Sequence, residues 1–443
     1  MKKGILILFV ILYTVLTCKA QEYGPKIDSL IEKAVKINRF NGSVLVSKNG
    51  KIVYEKAYGY QNVAKNILNT TNTIYQIGST TKEFTAAVIL KLIENHQLSL
   101  DDKLSTYFPD FARGNEITIK HLLTHTSGIY EILRDPVAFN SSTQPRSKEQ
   151  MLSFFINKPL YFDPGTQYSY CNSGYMLLGL IIEKVTGKSY EQVVNDFILK
   201  PLGMNHSGFD FAGLQSPYKA VGYSKYTKTI KEASVPWDST ATYSAGSLYS
   251  TVEDLYRWHK GLLNYKIYSK TSLEKATTPF LEGYGLGCWI DMIYDKKVVS
   301  HGGNIFGFTG YFARIQEEDV SIIILNNIFN RQIESIGLSI LAILYDKPYS
   351  YFDEIKLMPE TLDKYVGEYE VSADYKVKII RKANQLFIQR NNEAATAIFA
   401  YKENAFFQKD DDIRISFKSE KDTVNQITIM EGLNTKRGDK IKQ

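Results

Sequence analysis

The sequence predicts an α+β fold followed by a small all-β domain, and three observations carry that expectation. Strand-like runs stand at both ends of a helical middle, Gly42 to Tyr58 before it and Tyr284 to Asn326 after it. Strands so placed are expected to meet in one mainly antiparallel sheet flanked by helices, with the middle forming a helical subdomain. From Pro359 onward helical periodicity disappears and short strands follow one another, as in a small β-barrel or sandwich.

The first twenty residues, MKKGILILFVILYTVLTCKA, set the compartment. Two lysines, an apolar run from Ile5 to Leu16 and a small-residue end at Ala20 have the form of a signal peptide, and the run is too short to cross a bilayer. Cleavage after Ala20, and a periplasmic or secreted protein, are expected. Lipidation of Cys18 in Val15-Leu16-Thr17-Cys18 is the alternative, disfavoured by Thr17, and only it implies a membrane. Loss of Lys2, Lys3 and Lys19 lowers the formal charge from +6 to +3. So small an excess, without a long basic run, excludes a nucleic-acid partner. Two cysteines, Cys171 and Cys288, then remain in a chain of 443 residues, too few for a disulfide scaffold and without C-x-x-C metal spacing. Neither metal nor cofactor is expected.

Residues 25–345 form the first expected domain. Pro25 to Asn38 places Ile27, Leu30, Ile31, Ala34 and Val35 on one helix face. Asn49-Gly50 joins the strands Gly42 to Ser47 and Lys51 to Tyr58 in a hairpin. A helix beginning at Ser79 buries one face through Phe84, Val88, Leu92 and Ile93. Helices are expected over Ile117 to Thr124, Ser147 to Asn157, Ser173 to Thr186 and Tyr190 to Leu199, closed by Gly or Pro. Gly208 to Ser247 reads as a long loop, of the kind that walls binding sites. Ser250-Thr251-Val252-Glu253 is a capping box before a helix from Thr251 to Leu263. Strands follow over Tyr284 to Ile293, Lys297 to Ser300, Gly307 to Gln316 and Val320 to Asn326, then a helix from Gln332 to Tyr345. A linker at 346–358 precedes a second domain, 359–443, with seven expected strands between Val366 and Met430. No repeat or low-complexity tract is present.

Three motifs carry chemistry. Ser79 and Lys82 are three residues apart on one helix face, so the amine can reach the hydroxyl, and the helix N-terminus adds positive potential. Taken alone, the pair also fits an N-cap serine before a solvated lysine. Tyr170 and Asn172, two apart in a loop after Pro164-Gly165, can both point into one cleft, a phenol to carry a proton and an amide to hold substrate. His301-Gly302-Gly303-Asn304 follows the Lys297 to Ser300 strand, where glycines permit close ligand approach and a free N–H can serve an oxyanion.

In this order S-x-x-K, Y-x-N and H-G-G, joined by Leu122 to Gly128 and by Pro164-Gly165 to Gly179, resemble the serine β-lactamase and penicillin-binding protein superfamily. The likeness is nearest to its class C β-lactamase, D-alanyl-D-alanine carboxypeptidase and D-aminopeptidase branch, across residues 25–345. The C-terminal part is similar to the small lipocalin-like β domain that often follows such domains. The resemblance implies a β-lactamase/transpeptidase-like fold, with Ser79 as acylated nucleophile, Lys82 as its base partner, Tyr170 as second proton carrier and Asn172 positioning a substrate amide. It leaves open whether Lys82 or Tyr170 takes the first proton. It also implies an oxyanion hole from the Ser79 N–H and one on the His301-Gly302-Gly303 strand, that of Asn304, each donor worth about 3 kcal/mol. Where β-lactamases carry lysine, this chain has His301; an imidazole is mostly neutral at physiological pH and anchors a carboxylate poorly. A peptidase or esterase on D-amino-acid peptides or small esters and amides is therefore expected, with a class C-like β-lactamase and a non-catalytic sensor as alternatives. Cys171 is expected to be inert.

Other chemistries fit less well. His121-Leu122-Leu123-Thr124-His125 has zincin-like spacing without the glutamate. No G-x-S-x-G elbow exists, and Gly283-Tyr284-Gly285-Leu286-Gly287 lies in a strand-like run and opens no helix.

Overall fold

The computed structural model describes residues 23–329, 333–349, 353–372, 374–391, 393–409, 413–420, 423–431 and 434–441. The expected signal segment with Cys18 and Ala20, and the expected helix start at Gln332, lie outside these residues. The architecture is α+β: a six-stranded antiparallel sheet between helical layers, followed by a closed eight-stranded barrel.

Strands β1 (Gly42–Lys48), β2 (Lys51–Ala57), β3 (Trp289–Ile293), β4 (Lys296–Ile305), β5 (Phe308–Ile315) and β6 (Val320–Asn326) lie in the order β2-β1-β6-β5-β4-β3. Both ends of the domain meet in the middle, where β1 pairs with β6 from Gly42 opposite Asn326 onward. Side chains alternate between the two faces. Val44, Val46, Ile322 and Ile324 pack with helix α1 (residues 23–36) and a helix over Ile333–Leu344, while Leu45, Ile323 and Leu325 face the helical subdomain. The hairpin turns at Asn49 and Gly50, with φ of 51° and 71°, as a two-residue turn between twisted strands requires.

Helix α2 (Thr81–Glu94) runs through the centre of the domain and is buried on nearly all sides, not on one face as its apolar spacing suggested. The reason is polar satisfaction. Glu83, for example, meets Arg314 through two 2.8 Å contacts and accepts from Trp258 Nε1 at 3.1 Å. A helix can be enclosed when its polar side chains find partners inside.

Four further expectations are corrected. The Gly208 to Ser247 stretch is no plain loop: it holds a small hairpin, Tyr223–Tyr226 with Lys231–Ala233, and helix α4 (Ser239–Gly246), capped by Asp238 and kinked at Tyr243. The later helix α5 (Val252–Leu263) is capped by Thr251 accepting from Asp254 N, one position beyond the predicted box. Strand β3 begins at Trp289, because the glycines at 283 and 287 adopt positive φ and turn the chain. Strand β4 continues through His301 to Ile305, held by pairing with β5 from Val299 opposite Arg314 to Ile305 opposite Phe308.

The C-terminal strands are β7 (Gly367–Ser372), β8 (Tyr375–Lys382), β9 (Gln385–Arg390), β10 (Thr396–Lys402), β11 (Ala405–Phe407), β12 (Ile413–Glu420), β13 (Thr423–Glu431) and β14 (Asn434–Lys440). The ring closes where β7 pairs with β14, an eighth strand that its polar sequence hid. Tyr369, Val377, Ile388, Ile415 and Ile427 fill the interior. The barrel touches the first domain where Arg39 Nη2 donates to Gln408 O at 3.1 Å.

Candidate active site

Ser79 sits in a single 3₁₀ turn, Gly78–Thr80, immediately before α2. Neither helix start uses a side-chain cap bond, so Ser79 is not an N-cap serine. Its place is set by the sheet. Strand β3 ends its pairing at Ser300 opposite Trp289, leaving the β4 edge from His301 to Ile305 free on that side. The Gly78–Thr80 turn packs against this free edge. A Cβ on Gly303 would fall 1.8 Å from Ile77 O, and one on Gly78, at φ +52°, would fall 2.9 Å from Asn304 N. Only glycine permits this approach of two backbones, which brings the Asn304 amide beside Ser79.

Beneath Ser79 lies Lys82, fully buried. Its Nζ donates to Ser79 Oγ at 3.1 Å, Asn172 Oδ1 at 2.7 Å and Ala245 O at 2.8 Å, the last from α4. Burial drives the lysine pKa down to about 7, against the opposing pull of the Glu131 carboxylate. Asn172 opens helix α3 (Asn172–Thr186); its Nδ2 donates to Glu131 Oε1 at 2.8 Å and its backbone N–H donates to Glu131 Oε2. Glu131 thereby fixes the amide with its oxygen toward Lys82 and leaves one N–H for a substrate. The Lys82 ammonium stands 4.8 Å from the Tyr170 ring centre. The Tyr170 hydroxyl is buried beside Ser79, and burial pushes its pKa well above the ordinary phenol value, the Ser79 hydroxyl opposing through a hydrogen bond.

His301 points from β4 into the interior. Its Nε2 lies 3.0 Å from Tyr284 OH and its Nδ1 2.6 Å from Gly302 O. Burial and the nearby Lys82 charge push its pKa down to about 3, so it is neutral at physiological pH. The zincin-like histidines do not converge. His121 caps its own helix with Thr118, and His125 sits among the rings of Tyr170, Tyr175 and Tyr284 with its Nδ1 accepting from Cys171 N. The Cys171 thiol is buried, its pKa pushed up to about 12 by burial.

Ser79, Tyr170, Asn172, His301, Gly302 and Asn304 line one cleft of about 890 Å³, with Lys82 beneath it and Gly303 against the Ser79 turn. The structure thus brings together every sequence-selected residue. It adds Glu131, the Ala245 carbonyl and Tyr284, which sequence reasoning missed. A backbone carbonyl leaves no mark in a sequence. Glu131 did leave one, as the acid just after the Leu122 to Gly128 motif.

The profile of the Beta-lactamase family matches residues 27–337. The chain belongs to this family. Within the Beta-lactamase family it is 35% identical over 291 residues to the putative penicillin-binding protein PbpX of Bacillus subtilis (strain 168), covering 65% of this chain and 72% of that one. It is 32% identical over 325 residues to protein flp of Staphylococcus aureus (strain MW2), covering 68% of this chain and 63% of the relative. Among solved structures, the octameric penicillin-binding protein homologue from Pyrococcus abyssi superposes with a TM-score of 0.69 at 28% identity, across 94% of this chain and 99% of that one. Beta-lactamase-fold proteins of this kind are serine hydrolases, and the C-terminal barrel follows that fold here.

Proposed function

We propose that the protein is an exported serine hydrolase working through an acyl-enzyme on Ser79, a peptidase or esterase on D-amino-acid-containing peptides or small esters and amides. The observation that carries this reading is the buried Lys82 amine, hydrogen-bonded to Ser79 and poised near neutrality. Neutral Lys82 takes the Ser79 proton as Oγ attacks the carbonyl carbon. The Ser79 and Asn304 N–H groups receive the oxyanion. Collapse breaks the bond to the leaving group, which takes a proton from the Tyr170 phenol or from protonated Lys82, and water then hydrolyses the acyl-enzyme. The raised pKa of Tyr170 disfavours a phenolate, which supports Lys82 as first base.

Intact mass after incubation with a fluorophosphonate tests the reading. A single adduct mapped to Ser79 is expected, and labelling elsewhere, or none, overturns it. The neutral His301 gives no anchor for a lactam carboxylate, so benzylpenicillin is expected to acylate Ser79 at least about a hundredfold more slowly than a neutral ester of similar size. Equal rates would instead favour a class C-like β-lactamase.

The pH profile gives a sharper check. Lys82 must lose its proton to act, so kcat/KM is expected to rise with an inflection near pH 7. The Glu131 carboxylate stabilises the ammonium and raises that pKa. Glu131→Gln removes the charge, so the inflection is expected to move to lower pH while kcat falls through the loosened Asn172. An unmoved or upward-shifted inflection would deny Lys82 the role of base.

A further inference from the structure

His125 is buried at the site and takes no part in the steps at Ser79. Its ring lies against the Tyr170 ring, with centres 4.1 Å apart. Tyr170 itself stands in an irregular stretch between Gly165 and α3, so no strand or helix aims its phenol. His125 holds that stretch instead. Ser169 N donates to the His125 carbonyl at 2.9 Å, and Cys171 N donates to His125 Nδ1 at 3.0 Å. One residue thus grips the backbone on both sides of Tyr170 while its ring backs the phenol. Further along the same segment, Glu131 fixes Asn172 in the same manner.

Two features show that the imidazole serves for more than packing. With Nδ1 accepting from Cys171, the proton of the neutral ring is on Nε2, which is buried without a hydrogen-bond partner among the described residues. An unsatisfied polar edge is costly, and a phenyl ring would fill the same space without it. The acceptor at Nδ1 is what histidine offers in exchange. The backbone of His125 is also held at φ 57°, a conformation uncommon for any residue with a side chain, and strain of this kind gathers at functional sites. Burial, with the Lys82 and His301 charges, pushes the His125 pKa well below the ordinary value and keeps the ring neutral.

We propose that His125 is a positioning residue for Tyr170, holding the phenol where it protonates the departing group. As the bond from the acyl carbon to the leaving oxygen or nitrogen breaks, its electron pair goes to the leaving atom, which takes the phenol proton. A replacement proton comes from the Lys82 ammonium left by the attack of Ser79. The proposal rests on the Ser79 reading and adds to it the residue that decides how poor a leaving group can be expelled.

The p-nitrophenyl, trifluoroethyl and ethyl esters of acetic acid test this, because they form one acyl-enzyme and differ in how much the leaving oxygen needs a proton. His125→Phe keeps a ring and removes the acceptor; His125→Asn removes the ring and keeps an acceptor in a residue that tolerates positive φ. In His125→Phe, kcat/KM is expected to fall less than about threefold for the p-nitrophenyl ester and at least about thirtyfold for the ethyl ester, with the trifluoroethyl ester between. His125→Asn should recover most of the larger loss. Fluorophosphonate labelling of Ser79 should keep its rate within about threefold in both variants. Thermal melts accompany the assays, and if His125→Phe does not fold, His125→Gly, which takes positive φ without strain, carries the same comparison. An equal loss for all three esters, or none, overturns the proposal, as does an asparagine variant no better than the variant without an acceptor. Absence of Ser79 labelling in the unmodified protein would defeat the hydrolase reading. Labelling with uniform ester losses would defeat only the role of His125.

Discussion

Ser79→Ala is expected to lower turnover by roughly four to six orders of magnitude, the effect of removing a nucleophile from a concerted unit. Stability should change by less than about 1 kcal/mol. The structure separates the two effects. Ser79 Oγ caps no helix and accepts one bond from Lys82, whose amine keeps Asn172 Oδ1 and Ala245 O as partners. Steady-state ester hydrolysis with a thermal melt on the same preparation checks both. Residual turnover above about one per cent, with the fold intact, would mean that another group attacks the substrate.

Gly303→Ala should damage both activity and stability, and its neighbour supplies the control. A Cβ on Gly303 would lie 1.8 Å from Ile77 O, a backbone atom that cannot swing aside, so β4 and the Ser79 turn must separate. Overpacking of this kind costs about 1–3 kcal/mol or more. The separation also carries the Asn304 N–H away from Ser79, and a lost oxyanion donor costs about a hundred- to a thousandfold in kcat. At Gly302 the added Cβ would meet only ordinary contact, so Gly302→Ala should melt within a few degrees of the parent. Equal stability of the two variants would show that the turn is not pinned to the strand at Gly303.

Side chains with local spacing were the legible part of the site. Ser79 and Lys82 are one helical turn apart, and Tyr170 and Asn172 flank one residue, so short-range geometry sufficed to select them. The hairpin at Asn49-Gly50 was visible for the same reason. Features that depend on distant partners were not. Helix α4 has no apolar period and breaks at Tyr243, where φ is 40°, yet it delivers the Ala245 carbonyl to Lys82. The expected strand stopped at Ser300 because the glycines after it disfavour strands, but pairing with β5 outweighs that local preference and carries it to Ile305. Strand β14, with the sequence NTKRGDK, shows no apolar alternation and is defined by its neighbours β13 and β7.

The pairing of β1 with β6 also governs when the molecule can be finished. A ribosome delivers Gly42 early, but its partner Asn326 is made only after the whole helical middle. Until then the nascent chain carries a hydrophobic hairpin with one open edge, the kind of surface that recruits chaperones or joins to another copy. The barrel repeats the delay, since Tyr369 must wait for Lys440 before its ring can seal. Folding is therefore expected to be slow and largely post-translational, limited by contacts between the ends of each domain.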